Sequence, residues 1–292
     1  FFYDSKKSGG ITVSHLRFGK TPIQSAYLID AADFVQCSNP SYITRYDMTG
    51  DIKENGTFLF NTSAKSAAEL EEVLPAAVKR DIAKKHINLY VIDAIDIAAK
   101  LGLRGRTNTI LQSAFFKVAN IIPYDQAVEY MKKMAYKSFA KKGDAVVQMN
   151  YNAIDSAAAN LIKIDVPASW ENATTGAPMA DVADNKYFKE IVHPILSLKG
   201  DNLPSSAFNA DGSVPTGTTK FEKRGVAVNV PMWDAAKCIQ CNQCAFVCPH
   251  ACIRPAVVKS GTEKPASFVT KEMIGNKGYE FRMQVSPLDC MG

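Results

Sequence analysis

The chain has 292 residues, of which 47% are hydrophobic and 22% charged, and its formal net charge is +5. This length and composition are typical of a globular protein of about two domains and exclude a disordered tail. No uninterrupted apolar run approaches the roughly 20 residues of a membrane span, and we expect no signal peptide before the first element. Basic residues are not interleaved with aromatic residues as they are in nucleic-acid-binding proteins. We therefore expect neither a membrane nor a nucleic acid as a partner.

The first 165 residues alternate strand-like and helix-like patterns. Short apolar or alternating runs flanked by turn residues predict four strands, at Ile11–Leu16, Phe34–Ser38, Thr57–Asn61 and Leu89–Asp93. Ser66 and Glu69 have the spacing of a capping box, and apolar residues at helical spacing follow them. Pro75 predicts a break or kink in that helix.

Two more helices are predicted at Thr107–Ala119 and Asp125–Lys141, and Val146–Asn150 is predicted as a further strand. Strands that alternate with helices favour an α/β fold with an open, mostly parallel sheet over residues 1–165. Residues 166–215 are rich in Pro, Gly, Ser, Thr and Asn, which predicts a small connecting domain or linker. Residues 216–292 contain most of the cysteines and form the third predicted region.

The strongest chemical signal is a run of four cysteines that ends at a proline. Cys238, Cys241, Cys244 and Cys248 precede Pro249 in the pattern C-x2-C-x2-C-x3-C-P. In this pattern the first three thiolates bind one iron–sulfur cluster, and the fourth characteristically binds a second cluster. Zinc is the alternative, but structural zinc sites usually pair two short knuckles across a long loop. The spacing therefore favours 4Fe–4S clusters and electron transfer in single-electron steps.

The other three cysteines differ in their context. Cys37 lies inside a strand-like run, and Cys252 breaks the ligand spacing, so we interpret both as core residues. Cys290 lies in the sequence P-L-D-C-M-G, where a second cysteine run would begin. Because most cysteines belong to a metal-type run, a reducing, cytoplasmic location is expected, although an anaerobic organelle is an open alternative.

Residues 4–20 are the second informative stretch. Lys6, Lys7 and Ser8 precede a glycine pair, and Arg17 lies directly after the predicted strand that follows this pair. Glycine pairs let backbone N–H groups approach an anion, and Lys and Arg supply charge for phosphate. The pattern is not a Walker loop, and a basic turn at a domain edge is an equally good interpretation from composition alone.

Several segments together resemble the pyruvate:ferredoxin (flavodoxin) oxidoreductases. They are DSKKSGGITVSHLRFG, GRTNTILQSAFFK, KKGDAVVQMNYNAID, VPASW and KCIQCNQCAFVCPHACIRP, and they occur in order along the whole chain. The chain lacks an initiator Met and ends close to Cys290, so we expect it to be a central piece of a longer polypeptide. The resemblance implies a coenzyme A-associated α/β domain at 1–165, a small domain at 166–215, and a truncated α+β ferredoxin-type 4Fe–4S domain at 216–292.

The resemblance also implies a reaction and its cofactors. Pyruvate and coenzyme A would give acetyl-CoA and CO2, and electrons would pass through two 4Fe–4S clusters to ferredoxin or flavodoxin. Thiamine diphosphate and Mg would belong to other domains of the same chain, and the full-length enzyme would be a homodimer. Lys6, Lys7, Ser8 and Arg17 become candidates for the coenzyme A phosphates.

In a two-cluster unit of this kind, the resemblance assigns the first cluster to Cys238, Cys241, Cys244 and a later cysteine. It assigns the second cluster to Cys248, Cys290 and two later cysteines. We therefore expect that these 292 residues alone cannot hold two intact clusters and have no catalytic activity.

Two other functions stay open at this point. A sister enzyme could act on 2-oxoglutarate, indolepyruvate or a branched-chain oxoacid, because the substrate-selecting residues would lie in the thiamine domains. Alternatively, the chain could be a non-catalytic electron-transfer subunit whose α/β part is merely structural. Binding of coenzyme A would distinguish the second alternative from the enzyme.

Overall fold

The structure, a computed structural model, describes residues 2–3, 9–24, 27–103, 105–179 and 185–292. The chain forms two compact units, one of residues 15–204 and the other of residues 1–14 and 205–292. The domain boundaries predicted from the sequence, at 165 and 215, stay a prediction.

The unit of residues 15–204 is built on a four-stranded sheet with the order β3-β4-β5-β6. Its strands are β3 (Ala32–Cys37), β4 (Ile52–Asn61), β5 (Asn88–Ile92) and β6 (Ile162–Lys163). The first three strands are parallel, and the two residues of β6 pair antiparallel with β5. The predicted α/β class with a mostly parallel sheet is confirmed for this unit.

Helices cover both faces of this sheet. They are α1 (Ala67–Val73), α2 (Ala76–Lys84), α3 (Ala94–Lys100), α4 (Asn108–Ala119), α5 (Tyr124–Phe139) and α6 (Asp144–Asn160). Alternate residues of β4 point to opposite faces, so Phe58 and Phe60 pack with Leu70 of α1, whereas Leu59 packs with Ile110 of α4. Helix α5 lies further out and packs against α4 and α6.

The start of α1 and the break after it follow the sequence signals. The Ser66 side chain accepts a hydrogen bond from the Glu69 N–H at 3.3 Å, and the Glu69 carboxylate accepts one from the Lys65 N–H at 2.8 Å. Helix α1 ends at Val73 and α2 begins at Ala76, so Pro75 separates two helices as its missing N–H requires.

The predicted strand at Val146–Asn150 is wrong, because these residues lie inside α6. Adjacent valines favour a strand locally, but the buried positions Val147, Asn150 and Ile154 have helical spacing. They pack this helix against α4 and α5, and this tertiary packing outweighs the local preference.

A short segment after β6 is attached to an ion pair between α1 and α2 by the side chain of Trp170. The Lys79 ammonium of α2 donates to the Glu71 carboxylate at 2.6 Å and to the Glu71 carbonyl oxygen at 3.2 Å. The indole N–H of Trp170 donates to the other carboxylate oxygen of Glu71. Lys79 and Trp170 are each only 1% exposed, whereas the Glu71 side chain that joins them is 44% exposed, so the network reaches from the interior of the unit to its surface.

The second unit contains two small antiparallel sheets. The strands are β1 (Phe2–Tyr3) with β2 (Thr12–Val13), and β7 (Ile253–Lys259), β8 (Lys271–Glu272) and β9 (Tyr279–Val285) in the order β7-β9-β8. Phe281 and Met283 of β9 point into its core. Among the α-helices of the described residues, α8 (Gln243–Val247) lies in this unit, whereas α7 (His193–Leu196) belongs to the other unit. Among the residues that the structure describes, no helix has the length and apolar character needed to cross a membrane.

Candidate iron–sulfur site

The cysteine run lies in a tightly folded loop that leads into α8. Gln240 and Asn242 have left-handed backbone conformations, with φ of 57° and 59°, and α8 begins directly after Asn242. Left-handed non-glycine residues are uncommon and bend the chain sharply. The Gln240 N–H donates to the sulfur of Cys238 at 3.4 Å, which is the kind of N–H···S bond that stabilises a thiolate.

The loop is attached to β8 through two side chains. The Gln240 side chain donates to the Glu272 carbonyl oxygen at 2.7 Å and accepts from the Ile274 N–H at 2.9 Å. The Lys271 ammonium donates to the carbonyl oxygen of Cys238 at 2.8 Å. These contacts position the first part of the cysteine run, and the spacing rule gives no sign of them.

The described residues contain no group of three His, Cys, Asp or Glu side chains arranged around a single metal ion. A single zinc ion needs its thiolates to converge on one point. A 4Fe–4S cluster has a different requirement, because each thiolate binds its own iron atom. Cys241 and Cys244 are exposed and Cys238 is half-buried, and all three supply sulfur alone, so their chemistry fits a cluster.

Cys248 ends the run in a different environment. It follows α8 directly, and its sulfur lies 3.3 Å from the sulfur of Cys252. The hydrogen bond with the Cys252 thiol, together with backbone N–H groups that follow Pro249, lowers the pKa of Cys248 to about 7. A thiol with this environment is readily available as a thiolate ligand.

Cys252 and Cys290 are both buried, and Cys252 is the one in contact with Cys248. The Cys290 thiol is within hydrogen-bonding reach of the Cys252 thiol, and burial, followed by the hydrogen bond with Cys248, raises the pKa of Cys252 to about 12. The sequence places Cys252 in the core and does not reveal its contact with two predicted ligands. The structure thus brings both Cys248 and Cys290 to one buried thiol, that of Cys252.

The candidate coenzyme A residues are only partly described. Lys6, Lys7 and Ser8 lie outside the described residues. The Arg17 guanidinium donates to the Leu28 carbonyl oxygen at 3.0 Å and lies over the Tyr27 ring at 4.9 Å. Arg17 therefore links two parts of the N-terminal loop of its unit.

Three family models match the chain. The model for pyruvate ferredoxin/flavodoxin oxidoreductase matches residues 1–160, a domain of unknown function matches residues 175–227, and a 4Fe–4S binding domain matches residues 231–254. The last of these covers the whole cysteine run.

The full length of the chain also aligns with curated relatives. It is 52% identical to the pyruvate:ferredoxin oxidoreductase of Moorella thermoacetica and 48% identical to the pyruvate-flavodoxin oxidoreductase of Enterobacter agglomerans. In both alignments it covers 25% of the relative, so the chain spans about a quarter of their length. It is 41% identical to the NADP+ pyruvate dehydrogenase of Cryptosporidium parvum, again over the whole chain and 17% of the relative. The chain belongs to the pyruvate ferredoxin/flavodoxin oxidoreductase family.

Proposed function

We propose that this chain forms part of an enzyme that oxidises pyruvate, with coenzyme A, to acetyl-CoA and CO2 and passes the electrons to ferredoxin or flavodoxin. The observation that carries the proposal is the alignment of the entire chain, at 52% identity, with a relative of that name. The whole-chain match includes the cysteine run, which the 4Fe–4S model covers independently. A non-catalytic electron-transfer subunit would not need the match over residues 1–160.

Within this enzyme, the second unit supplies part of the path for electrons. Cys238, Cys241 and Cys244 bind the first 4Fe–4S cluster, and Cys248 and Cys290 bind the second. When bound, such clusters accept and release single electrons. The protein's own contribution is to hold the thiolates in place and to donate N–H···S bonds, as Gln240 does to Cys238.

Residues of the basic stretch 4–20 contribute to the coenzyme A site. Lys6, Lys7, Ser8 and Arg17 bind its phosphates, because Arg and Lys supply charge and a planar guanidinium matches phosphate oxygens. Thiamine diphosphate and Mg are held by residues outside these 292. A homodimeric assembly and a cytoplasmic location complete the proposal.

The test is an anaerobic assay of the full-length enzyme. Pyruvate should drive reduction of ferredoxin or flavodoxin only when coenzyme A is present, and acetyl-CoA should accumulate. The same assay is run with 2-oxoglutarate, indolepyruvate and a branched-chain oxoacid in place of pyruvate. A higher rate with any of them than with pyruvate would contradict the proposal. Because one relative is named for NADP+, NADP+ is included as a competing acceptor, and preferential NADP+ reduction would overturn the ferredoxin or flavodoxin assignment.

A second test uses the 292-residue chain itself. After anaerobic reconstitution with iron and sulfide, we expect clearly fewer than the roughly eight iron atoms of two 4Fe–4S clusters, because each cluster lacks at least one thiolate. About eight iron atoms per chain would contradict the ligand assignment.

A further inference from the structure

We propose that Cys252 is a positioning residue for the second cluster, whose thiol donates a hydrogen bond to the cluster-bound sulfur of Cys248 and so raises the reduction potential of that cluster. The proposal rests on the proposed function, since it takes Cys248 and Cys290 as ligands of the same cluster. Cys252 itself binds no iron in this arrangement.

The backbone explains why Cys252 meets both ligands. Cys252 immediately precedes β7, whose first residue Ile253 pairs with Val285 at the end of β9. The Ser286 N–H donates to the Cys252 carbonyl oxygen at 2.8 Å, which extends this pairing by one step. The Cys290 N–H then donates to the Ser286 carbonyl oxygen at 3.1 Å and closes a turn that returns Cys290 to Cys252.

The direction of the sulfur–sulfur hydrogen bond follows from ligation. Between two free thiols, either sulfur can be the donor at 3.3 Å. A metal-bound thiolate has no proton and can only accept, so in the loaded site Cys252 must be the donor. Cys252 is 4% exposed, so water has little access to compete for this sulfur–sulfur contact.

The consequence is electrostatic. Reduction adds a negative charge to a cluster and its thiolates, and a hydrogen bond to a ligand sulfur stabilises that charge. Loss of the Cys252 donor should therefore make the potential of this one cluster more negative. The first cluster, whose predicted ligands Cys238, Cys241 and Cys244 are not among the contacts of Cys252, should be unaffected.

The experiment compares Cys252→Ala and Cys252→Ser in the full-length enzyme by redox titration followed with electron paramagnetic resonance. Cys37→Ala is the matched control, because Cys37 is also a buried thiol but lies in the other unit. Iron and sulfide are counted in every sample. We expect Cys252→Ala to shift one cluster to a more negative midpoint potential, and Cys252→Ser, which keeps a donor, to restore most of the difference.

Each outcome decides the proposal. If Cys252→Ala loses a cluster but Cys252→Ser keeps it near the wild-type potential, the donor role is also supported. An unchanged potential in Cys252→Ala at full iron content would overturn the proposal, and so would loss of a cluster from both variants or an equal shift in Cys37→Ala. Failure of the proposed function would look different, because the wild-type enzyme itself would then lack the clusters or would not be reduced by pyruvate.

Discussion

The network of Glu71 with the buried side chains of Lys79 and Trp170 allows a sharp prediction about stability. In the variant Glu71→Ala, the Lys79 ammonium stays buried but loses the carboxylate at 2.6 Å and keeps only the carbonyl contact at 3.2 Å. Removal of one partner from a buried ion pair typically costs 3–5 kcal/mol, because an uncompensated charge is left inside. The Glu71 side chain is 44% exposed, so water can reach the vacated position, and we take the lower end, about 3 kcal/mol of unfolding free energy.

Substitution of the other partner, Lys79, should lower the unfolding free energy much less. Lys79→Met removes the buried charge and keeps a similar volume, while the half-exposed Glu71 is solvated, so we expect a loss of about 1 kcal/mol or less. The double variant should resemble Lys79→Met, which gives a coupling of about 3 kcal/mol between the two positions, equal to the whole loss in Glu71→Ala.

Urea unfolding of the 292-residue chain measures these differences. The chain has two tryptophans, so a Trp233→Phe background leaves Trp170 as the only indole that reports on this network. Equal losses for Glu71→Ala and Lys79→Met would refute the reasoning. A loss below about 1 kcal/mol for Glu71→Ala would also do so, because the ammonium would then be hydrated in the folded state.

Three further predictions concern the loop, a tight turn and the coenzyme A candidate. Gln240→Ala removes both hydrogen bonds from this side chain to the β8 segment, so it should lower the unfolding free energy by about 1 kcal/mol. It should also speed the loss of iron from the full-length enzyme. Unchanged iron retention would contradict the positioning role. Gly176→Ala should lower the unfolding free energy, measured in urea, by more than Gly143→Ala does. Both glycines have positive φ, but only at position 176 would the new Cβ meet a backbone oxygen, at 2.3 Å. Equal losses of unfolding free energy would rule out the steric cause. Arg17→Ala in the full-length enzyme should raise the KM for coenzyme A at least several-fold, since one phosphate contact is lost, with little change in the KM for pyruvate. An unchanged KM for coenzyme A would show that Arg17 is not part of the site.

The sequence predicts the α/β unit well where its elements have clear local signals. Strand β4 contains its predicted run, and β3 and β5 contain theirs except for the last residue, Ser38 and Asp93. The break at Pro75 follows from a missing backbone donor. The error at Val146–Asn150 arose because two adjacent valines are compatible with a strand or a buried helix, and only packing against α4 and α5 decides between them.

The cysteine ligands of the site can be predicted from the sequence, whereas the contacts around them cannot. The spacing of Cys238 to Cys248 predicts cluster ligands because it is a local pattern. The contact of Cys252 with Cys248 and Cys290 depends on the pairing of β7 with β9, and no local pattern contains that register. The attachment of Gln240 and Lys271 between the cysteine loop and β8 is nonlocal for the same reason.

The most direct test of the central claim is reduction of the clusters by substrate in the full-length enzyme. The enzyme is mixed anaerobically with pyruvate and coenzyme A, without an external acceptor, and frozen for electron paramagnetic resonance. We predict signals of reduced 4Fe–4S clusters in the wild-type enzyme and loss of one cluster's signal in a Cys244→Ser variant. Clusters that stay oxidised in the presence of both substrates, or a Cys244→Ser variant with unchanged signals, would contradict the assignment of this chain to the electron path of the enzyme.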